Sequence, residues 1–554
     1  MNLKNKLAFS GIYAYPLSLS AMYILVHNTA GSGRKLTLLG HLLIWAIALI
    51  PTTIILFRNT WDYVFHHKRQ FSLGIHDELD SDPTSMSSEK MQALYPKVPK
   101  QYLSKVPDGF ILGTTGSGIC KRYVRFKLDP HDIMMAIICG SPGLGKTASI
   151  FLSSLVANFS RPKDQQMVVY CQDVKPEIAV RCVEINGNPN VRIMNPTDRN
   201  SWGYDVYYEI HDKEDRGEPI TEDFIVKVLN KIARSLITGS EKDAFFVTNA
   251  IRAFTGMMLY YYNKGYSFID GVSEVIERPM DAHIKTILKD PKSSEKVRSL
   301  LTVFDGKDSD AAVDIELSLQ TELAIFLDAD VRWHLRDNPK KARPTDLNRG
   351  VSLFNCFKES LLDDASYPSL FRLIVNQICQ AMQDRSPESQ PCALILDECA
   401  RVGKLPSLPN LLATGRSRRV SVWIAVQDFS QLEEIYGKDG ARGIINLCRI
   451  KVILGCDDNA TQKSLGDLCG DYRETKSTIN ESEKGHKTSS TTEWRRVLQP
   501  SDLMSLDEKD ELVVFIKGKY MRIKKLYYFK DPILNKRNKE VMKINAKEDS
   551  NHEQ

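Results

Sequence analysis

Two long apolar runs open the chain, Leu7 to Val26 and Leu38 to Phe57. Each is almost free of charge and long enough to cross a bilayer as a helix. His27 to Thr37, with Gly31-Ser-Gly33 inside it, reads as the short loop of a helical hairpin. A cleaved signal peptide fits less well, because the first run is too long and a second follows directly. Lys4, Lys6, Arg58, Lys68 and Arg69 outweigh Arg34 and Lys35 in the loop, which predicts both termini on the cytoplasmic side. Residues 1–69 are thus expected to form a membrane anchor. The polar, Pro- and Ser-bearing stretch 70–105 is expected to be a linker.

Beyond residue 106 the pattern changes to short apolar runs. Ile133-Met-Met-Ala-Ile-Ile-Cys139, Met167-Val-Val-Tyr-Cys171 and Val191-Arg-Ile-Met194 have the length and composition of buried parallel strands. From Tyr207 to Leu335 the periodicity becomes helical: Phe224, Val228, Leu229, Ile232 and Leu236 fall on one face, and later stretches repeat the pattern. That segment is too long for one crossover connection, so an all-helical insertion is expected over 207–335. Strands return at Val351–Cys356, Cys392–Leu396, Val420–Val426 and Ile450–Leu454, with helices between them. The predicted fold class is therefore α/β, with a mostly parallel sheet built from 106–206 and 336–531. Glu511–Ile516 and Met521–Phe529 are expected as a closing strand pair. Lys476–Thr492 is expected as a mobile polar loop, and 532–554 as a charged tail.

Composition changes the picture little. A net charge of +5 over 554 residues is too weak to indicate nucleic acid by itself. The 11 cysteines include no CxxC pair, and several lie in apolar runs, which argues against a disulfide framework or a zinc site.

The most informative chemistry is Gly140-Ser-Pro-Gly-Leu-Gly-Lys-Thr147, which fits the phosphate-binding pattern of Gly, four residues, Gly, Lys, Ser/Thr. A phosphate chain needs backbone N–H groups aimed at it from a tight loop. Side chains at Gly140, Gly143 or Gly145 would obstruct that approach. Ser141, Pro142 and Leu144 complete the loop. Lys146 supplies charge to the terminal phosphates, and the Thr147 hydroxyl is a magnesium ligand. The apolar run before the loop and the helical spacing of Ile150, Leu152, Leu155, Val156 and Phe159 after it place the loop between a strand and a helix N-terminus. ATP and Mg2+ are the expected cofactors.

Leu394-Ile-Leu396 followed by Asp397-Glu398 reads as the second half of such a site, an apolar strand beside the P-loop strand ending in carboxylates. Asp397 is the candidate for the magnesium shell and Glu398 for polarising the attacking water. Gln427, ending the next strand, either senses the γ-phosphate or orients water, or is a solvated strand-end amide. Among Arg416, Arg418 and Arg419 one is a possible arginine finger, against the plainer reading of a solvated basic turn. Asp173-Val-Lys-Pro-Glu177 either touches phosphate or a moving element, or is a plain surface ion pair. Trp202, Trp333, Trp423 and Tyr260-Tyr-Tyr262 read as core rather than as base-stacking platforms.

Taken together these residues resemble the type IV secretion coupling proteins, the membrane-anchored ATPases of bacterial conjugation. The resemblance is carried by the P-loop and by the run Leu394 to Tyr436: Leu-Ile-Leu-Asp-Glu398, Gly403-Lys-Leu-Pro406, Gly415-Arg416, Gln427, Gln431-Leu432 and Tyr436-Gly437. Asn195-Pro196 and Leu498-Gln-Pro-Ser-Asp-Leu503 add to it. It implies a RecA-like motor domain with an all-helical cap, a homo-hexameric ring and an inner-membrane location. By the same likeness Arg416 becomes the finger and Gln427 the sensor. The implied function is ATP-driven transfer of DNA, without sequence preference, together with relaxase proteins toward a type IV secretion channel. A different reading remains: a membrane docking receptor for secreted proteins, with ATP as an assembly switch.

Overall fold

The computed structural model describes residues 96–126, 133–174, 177–182, 188–238, 244–305, 310–356, 367–482, 485–516 and 519–539. Sixteen strands occur among these residues. In chain order they are β1 (Leu103–Ser104), β2 (Phe110–Thr115), β3 (Arg122–Phe126), β4 (Ala136–Gly140), β5 (Val168–Asp173), β6 (Val191–Met194), β7 (Gly203–Tyr204) and β8 (Lys341–Ala342). There follow β9 (Ser352–Cys356), β10 (Cys392–Leu396), β11 (Val420–Val426), β12 (Ile450–Gly455), β13 (Asp471–Ser482), β14 (Gly485–Arg496), β15 (Glu511–Ile516) and β16 (Lys519–Lys524).

Twelve of them form one sheet in the order β1-β3-β2-β16-β15-β12-β4-β11-β10-β5-β9-β6. The seven from β12 to β6 are parallel. The remaining five extend the sheet antiparallel beyond β12. The parallel strands read as continuous apolar runs because both of their faces are covered. Ile137, Tyr170, Leu394 and Val422 face one core, which also takes in the inserted helices. Their chain neighbours Ile138, Cys171, Ile395 and Trp423 face the other, with Ile150, Phe151 and Leu155 of the P-loop helix. Trp423 is fully buried and stacked on Phe110, with ring centres 4.1 Å apart and planes 12° from parallel. Its indole N–H donates to Ser421 Oγ at 2.9 Å. This is a core residue, as its place in an apolar strand implies. Tyr260 and Tyr261 are also buried, and Trp202 lies under the Arg192 guanidinium, 4.3 Å from the ring centre.

The helical insertion leaves the sheet through β7 and returns through β8. These two pair in parallel, Gly203 with Lys341 and Tyr204 with Ala342. Between them run helices from Tyr208–Asp215 to Ala329–Arg332, with no strand among the described residues. Helix Glu222–Leu236 starts where the Thr221 side chain accepts from the Phe224 N–H, and it buries Val228, Leu229, Ile232 and Leu236 as the periodicity predicts. Arg343, just after β8, pairs with Asp205 at 2.8 Å and Asp212 at 3.0 Å, so one guanidinium ties the exit of the insertion to its entrance. A P-loop core with an inserted all-α region is thus present.

Three expectations are corrected. No helix among the described residues is long and apolar enough to cross a membrane. The spans expected at 7–26 and 38–57 lie outside the described residues. The two-helix membrane architecture and the multi-pass inner-membrane location are accordingly dropped. Next, the polar segment 476–492 is not a loop: its backbone belongs to a long antiparallel ribbon, β13 with β14, in register from Asp471–Arg496 to Ser482–Gly485. Finally, the closing strand ends at Lys524 rather than running to Phe529.

Candidate nucleotide site

The strand β4 ends at Gly140, and the loop Ser141–Gly145 turns the chain into a helix. The first turn, Lys146–Phe151, is wound as a π-helix, and Leu152–Phe159 continues as α. Gly143 and Gly145 sit at φ +82° and +83°, the left-handed region that side chains rarely adopt. Their requirements differ. A Cβ at Gly143 would meet no protein atom within 4 Å, so within the protein it is the backbone angle that favours glycine there. A Cβ at Gly145 would lie 3.2 Å from the Tyr527 ring. At Gly140 the crowding comes from Leu454 of β12, 3.2 Å from the Cβ position. Ser141 Oγ donates to Asp457 Oδ2 at 2.7 Å, fixing the near side of the loop.

The Lys146 side chain is buried and folded back onto the loop, donating to the Gly140 carbonyl and, at 3.5 Å, to the Ser141 carbonyl. The ammonium therefore stands inside the ring of backbone that an anion would enter. Thr147 Oγ1 donates to Asp397 Oδ2 at 3.0 Å, across 250 residues of sequence. This contact brings the two halves of the predicted site together. The other carboxylate oxygen, Asp397 Oδ1, is buried and has no hydrogen-bond partner. Burial pushes the Asp397 carboxyl up to about 6, with the neighbouring Glu398 charge adding to the rise and the Thr147 hydroxyl opposing it. A hydroxyl and an underused carboxylate oxygen side by side are hard oxygen donors of the kind Mg2+ takes.

Glu398 occupies a left-handed backbone conformation, φ 47° and ψ 45°. For a residue with a side chain that is a strained position, of the sort concentrated at functional sites. Its carboxylate lies 3.2 Å from Arg401 Nε. The strand carrying Asp397 is not beside the P-loop strand, contrary to the expectation from sequence: β11 lies between β10 and β4. The intervening strand ends at Val426, in register with Cys139, so Gln427 stands level with Gly140. Its N–H donates to Gln431 Oε1 at 3.1 Å.

Arg416 is not brought to this loop. It is exposed in the turn Gly415–Arg418 that enters the N-terminal end of β11, whereas the P-loop leaves the C-terminal end of the parallel neighbour β4. The two therefore lie at opposite ends of the strands. Arg418 donates to the Arg385 carbonyl at 3.1 Å, and the Arg419 carbonyl accepts from Cys392 N–H. Asp173 caps the short helix Glu177–Cys182, accepting from the Ile178 and Ala179 N–H groups at 2.9 and 3.0 Å. Lys175 and Pro176 lie outside the described residues.

Two contributors were missed in the sequence. Asp457 follows β12 with no motif to mark it. The segment after β16 lies along the P-loop: Lys525 Nζ, fully buried, donates to the Leu144 carbonyl at 3.1 Å and pairs with Asp507. Ser153 of the P-loop helix donates to the Leu526 carbonyl at 2.9 Å. Locally, Lys525-Leu-Tyr-Tyr528 reads only as the end of a strand.

This fold and site define a RecA-like P-loop core with an inserted all-α region. A family model described as the TraM recognition site of TraD and TraG matches residues 391–508. Protein VirD4 of Agrobacterium fabrum strain C58 is 21% identical over 315 residues, 55% of this chain and 47% of that protein. The conjugal transfer protein TraG of Rhizobium radiobacter is 23% identical over 302 residues, 51% of this chain and 45% of that one. Among solved structures, the unbound monoclinic form of the bacterial conjugative coupling protein TrwBdeltaN70 matches with a TM-score of 0.58 and 16% identity, over 78% of this chain and 91% of that one. The plasmid coupling protein TrwB in complex with ADP and Mg2+ matches with a TM-score of 0.57 and 15% identity, over 79% and 97%. The chain is a homologue of the VirD4/TraG conjugative coupling proteins and shares the coupling-protein fold of TrwB. It spans about half the length of the curated relatives it matches.

Proposed function

We propose that this chain is an ATP-hydrolysing coupling protein that recruits a relaxase–DNA complex and drives DNA toward a type IV secretion channel, acting as a homo-hexameric ring. The observation that carries this reading is the Thr147–Asp397 contact, which joins a P-loop to an acidic strand end within a coupling-protein fold. The residues fit the cofactor. Thr147 Oγ1 and Asp397 Oδ1 would hold Mg2+, which supplies positive charge to the phosphates when bound. The backbone N–H groups of residues 140–147 would cradle the phosphate chain, with Lys146 exchanging its loop carbonyls for phosphate oxygens.

Glu398 is suited to orient and deprotonate the attacking water, once its carboxylate turns from Arg401. Gln427, level with the loop, would sense the terminal phosphate. Arg416 stands at the far end of the strands, so a finger role for it requires a P-loop from an adjacent subunit. ATP hydrolysis by the purified full chain, with and without DNA of mixed sequence, tests the proposal. Turnover that rises several-fold with either single- or double-stranded DNA is expected. Hydrolysis indifferent to DNA would favour the docking-receptor reading instead.

A further inference from the structure

The last strand ends at Lys524, and the next residues are tied to the P-loop, to the helix that follows it and to the helix Glu177–Cys182. Lys525 reaches the Leu144 carbonyl, Leu526 accepts from Ser153, and the Tyr528 hydroxyl accepts from Arg181 at 3.1 Å. These ties leave Tyr527 at the rim of the loop. Its Cε1 and Oη lie 3.2 Å from the position a Gly145 Cβ would take, so the ring meets the loop by an edge and not by a face. Lys530 Nζ lies over one face of the ring, 4.6 Å from its centre, so a base stacks on the opposite face or in place of this ammonium, and Phe529, itself 46% exposed, sits with its ring centre 5.6 Å away. A half-buried tyrosine with an exposed phenylalanine beside it, at the edge of a phosphate loop, is an aromatic platform next to an anion site.

We infer that Tyr527 is the stacking platform for the nucleobase of the nucleotide bound at residues 140–147. A nucleotide with its phosphates on that loop must send its base out across the rim. A base stacks on an aromatic face without needing particular hydrogen bonds. The segment 525–528 then has one purpose throughout. Its polar ties hold it against the loop, the loop's helix and the helix Glu177–Cys182, and the ring they position receives the base. The inference rests on the nucleotide reading above. It also predicts that adenine and guanine nucleotides are held by this ring to a similar extent, because every base has a π-face.

The test compares Mg2+-ATP and Mg2+-GTP with inorganic triphosphate, which has the phosphates but no base, by calorimetry on the full chain. Tyr527→Ala is expected to weaken ATP and GTP binding about tenfold, a loss of about 1.4 kcal/mol, as removal of a stacking ring does. Binding of triphosphate should stay within about twofold of the wild type, which also reports an intact loop. Tyr527→Phe should keep nearly all of the ATP affinity. A Tyr527→Ala protein that loses ATP and triphosphate affinity by the same factor would overturn the inference, because the ring would then be shaping the loop. So would unchanged ATP affinity. Wild-type chain that binds triphosphate but gains nothing from a base overturns it too. Wild-type chain that binds neither ligand refutes the nucleotide reading itself, and this inference with it.

Discussion

Asp397→Asn is expected to make the free protein more stable and the nucleotide complex weaker. The buried carboxyl titrates at about 6 in the folded chain, against an ordinary value of 3.8. A carboxyl raised in this way favours the folded state fully below pH 3.8 and loses that contribution as the pH rises through 6. Above pH 6 the ionised form costs up to ~3 kcal/mol. Asparagine does not ionise and keeps an oxygen for the Thr147 hydroxyl, though its amide hydrogens need acceptors in a buried place. The net gain at pH 7.5 should then be ~1–3 kcal/mol, or a melting temperature higher by about 1–3 °C for a folded unit of this size. Thermal melts of both proteins without nucleotide or magnesium, from pH 5 to pH 8, measure it. The gap should be widest above pH 7 and narrow toward pH 5. Mg2+-ATP should then stabilise the wild type more than the variant. A variant less stable than the wild type at pH 7.5, or a gap that does not change with pH, would refute the reasoning.

Lys146→Ala should abolish ATP turnover, because the buried ammonium is the positive charge inside the loop; turnover at wild-type rate by the folded variant would remove the lysine from the site. Glu398→Gln should bind Mg2+-ATP normally and hydrolyse it at least a hundredfold more slowly, since general-base catalysis contributes ~10²–10⁴; loss of binding as well would show the residue to be structural. Arg416→Ala should bind ATP normally but lose up to ~10³ in turnover. Mixing it with Lys146→Ala protein should restore part of the activity, because some interfaces then pair an intact loop with an intact arginine. Unchanged turnover by Arg416→Ala alone would make this arginine part of a solvated turn.

What the sequence displayed of this molecule is what short-range chemistry dictates. The glycine spacing in 140–147 marked the loop, and Gly143 and Gly145 stand in left-handed conformations that its tight turn needs. Apolar runs such as Leu394–Leu396 report burial on both faces, and the core confirms it. The helical period in 222–236 survives because that helix buries one face only. The misreadings share a cause. Strand order is set by crossovers and not by composition, so the place of β11 between β4 and β10 had no local sign. The ribbon β13–β14 lacks an alternating apolar face, which is the signal by which a strand is ordinarily read. Lys525 and Asp457 contact the loop from 381 and 316 residues away, and nothing in either neighbourhood announces it.

In the proposed function, hydrolysis at Thr147 and Asp397 moves DNA. Release of streptavidin from the biotinylated end of a DNA, tried in single- and double-stranded form, tests that claim directly. The full chain with Mg2+-ATP should release streptavidin well above the spontaneous rate on at least one form, and Glu398→Gln protein should not. Steady ATP hydrolysis with release no faster than the spontaneous rate on either form would contradict a motor.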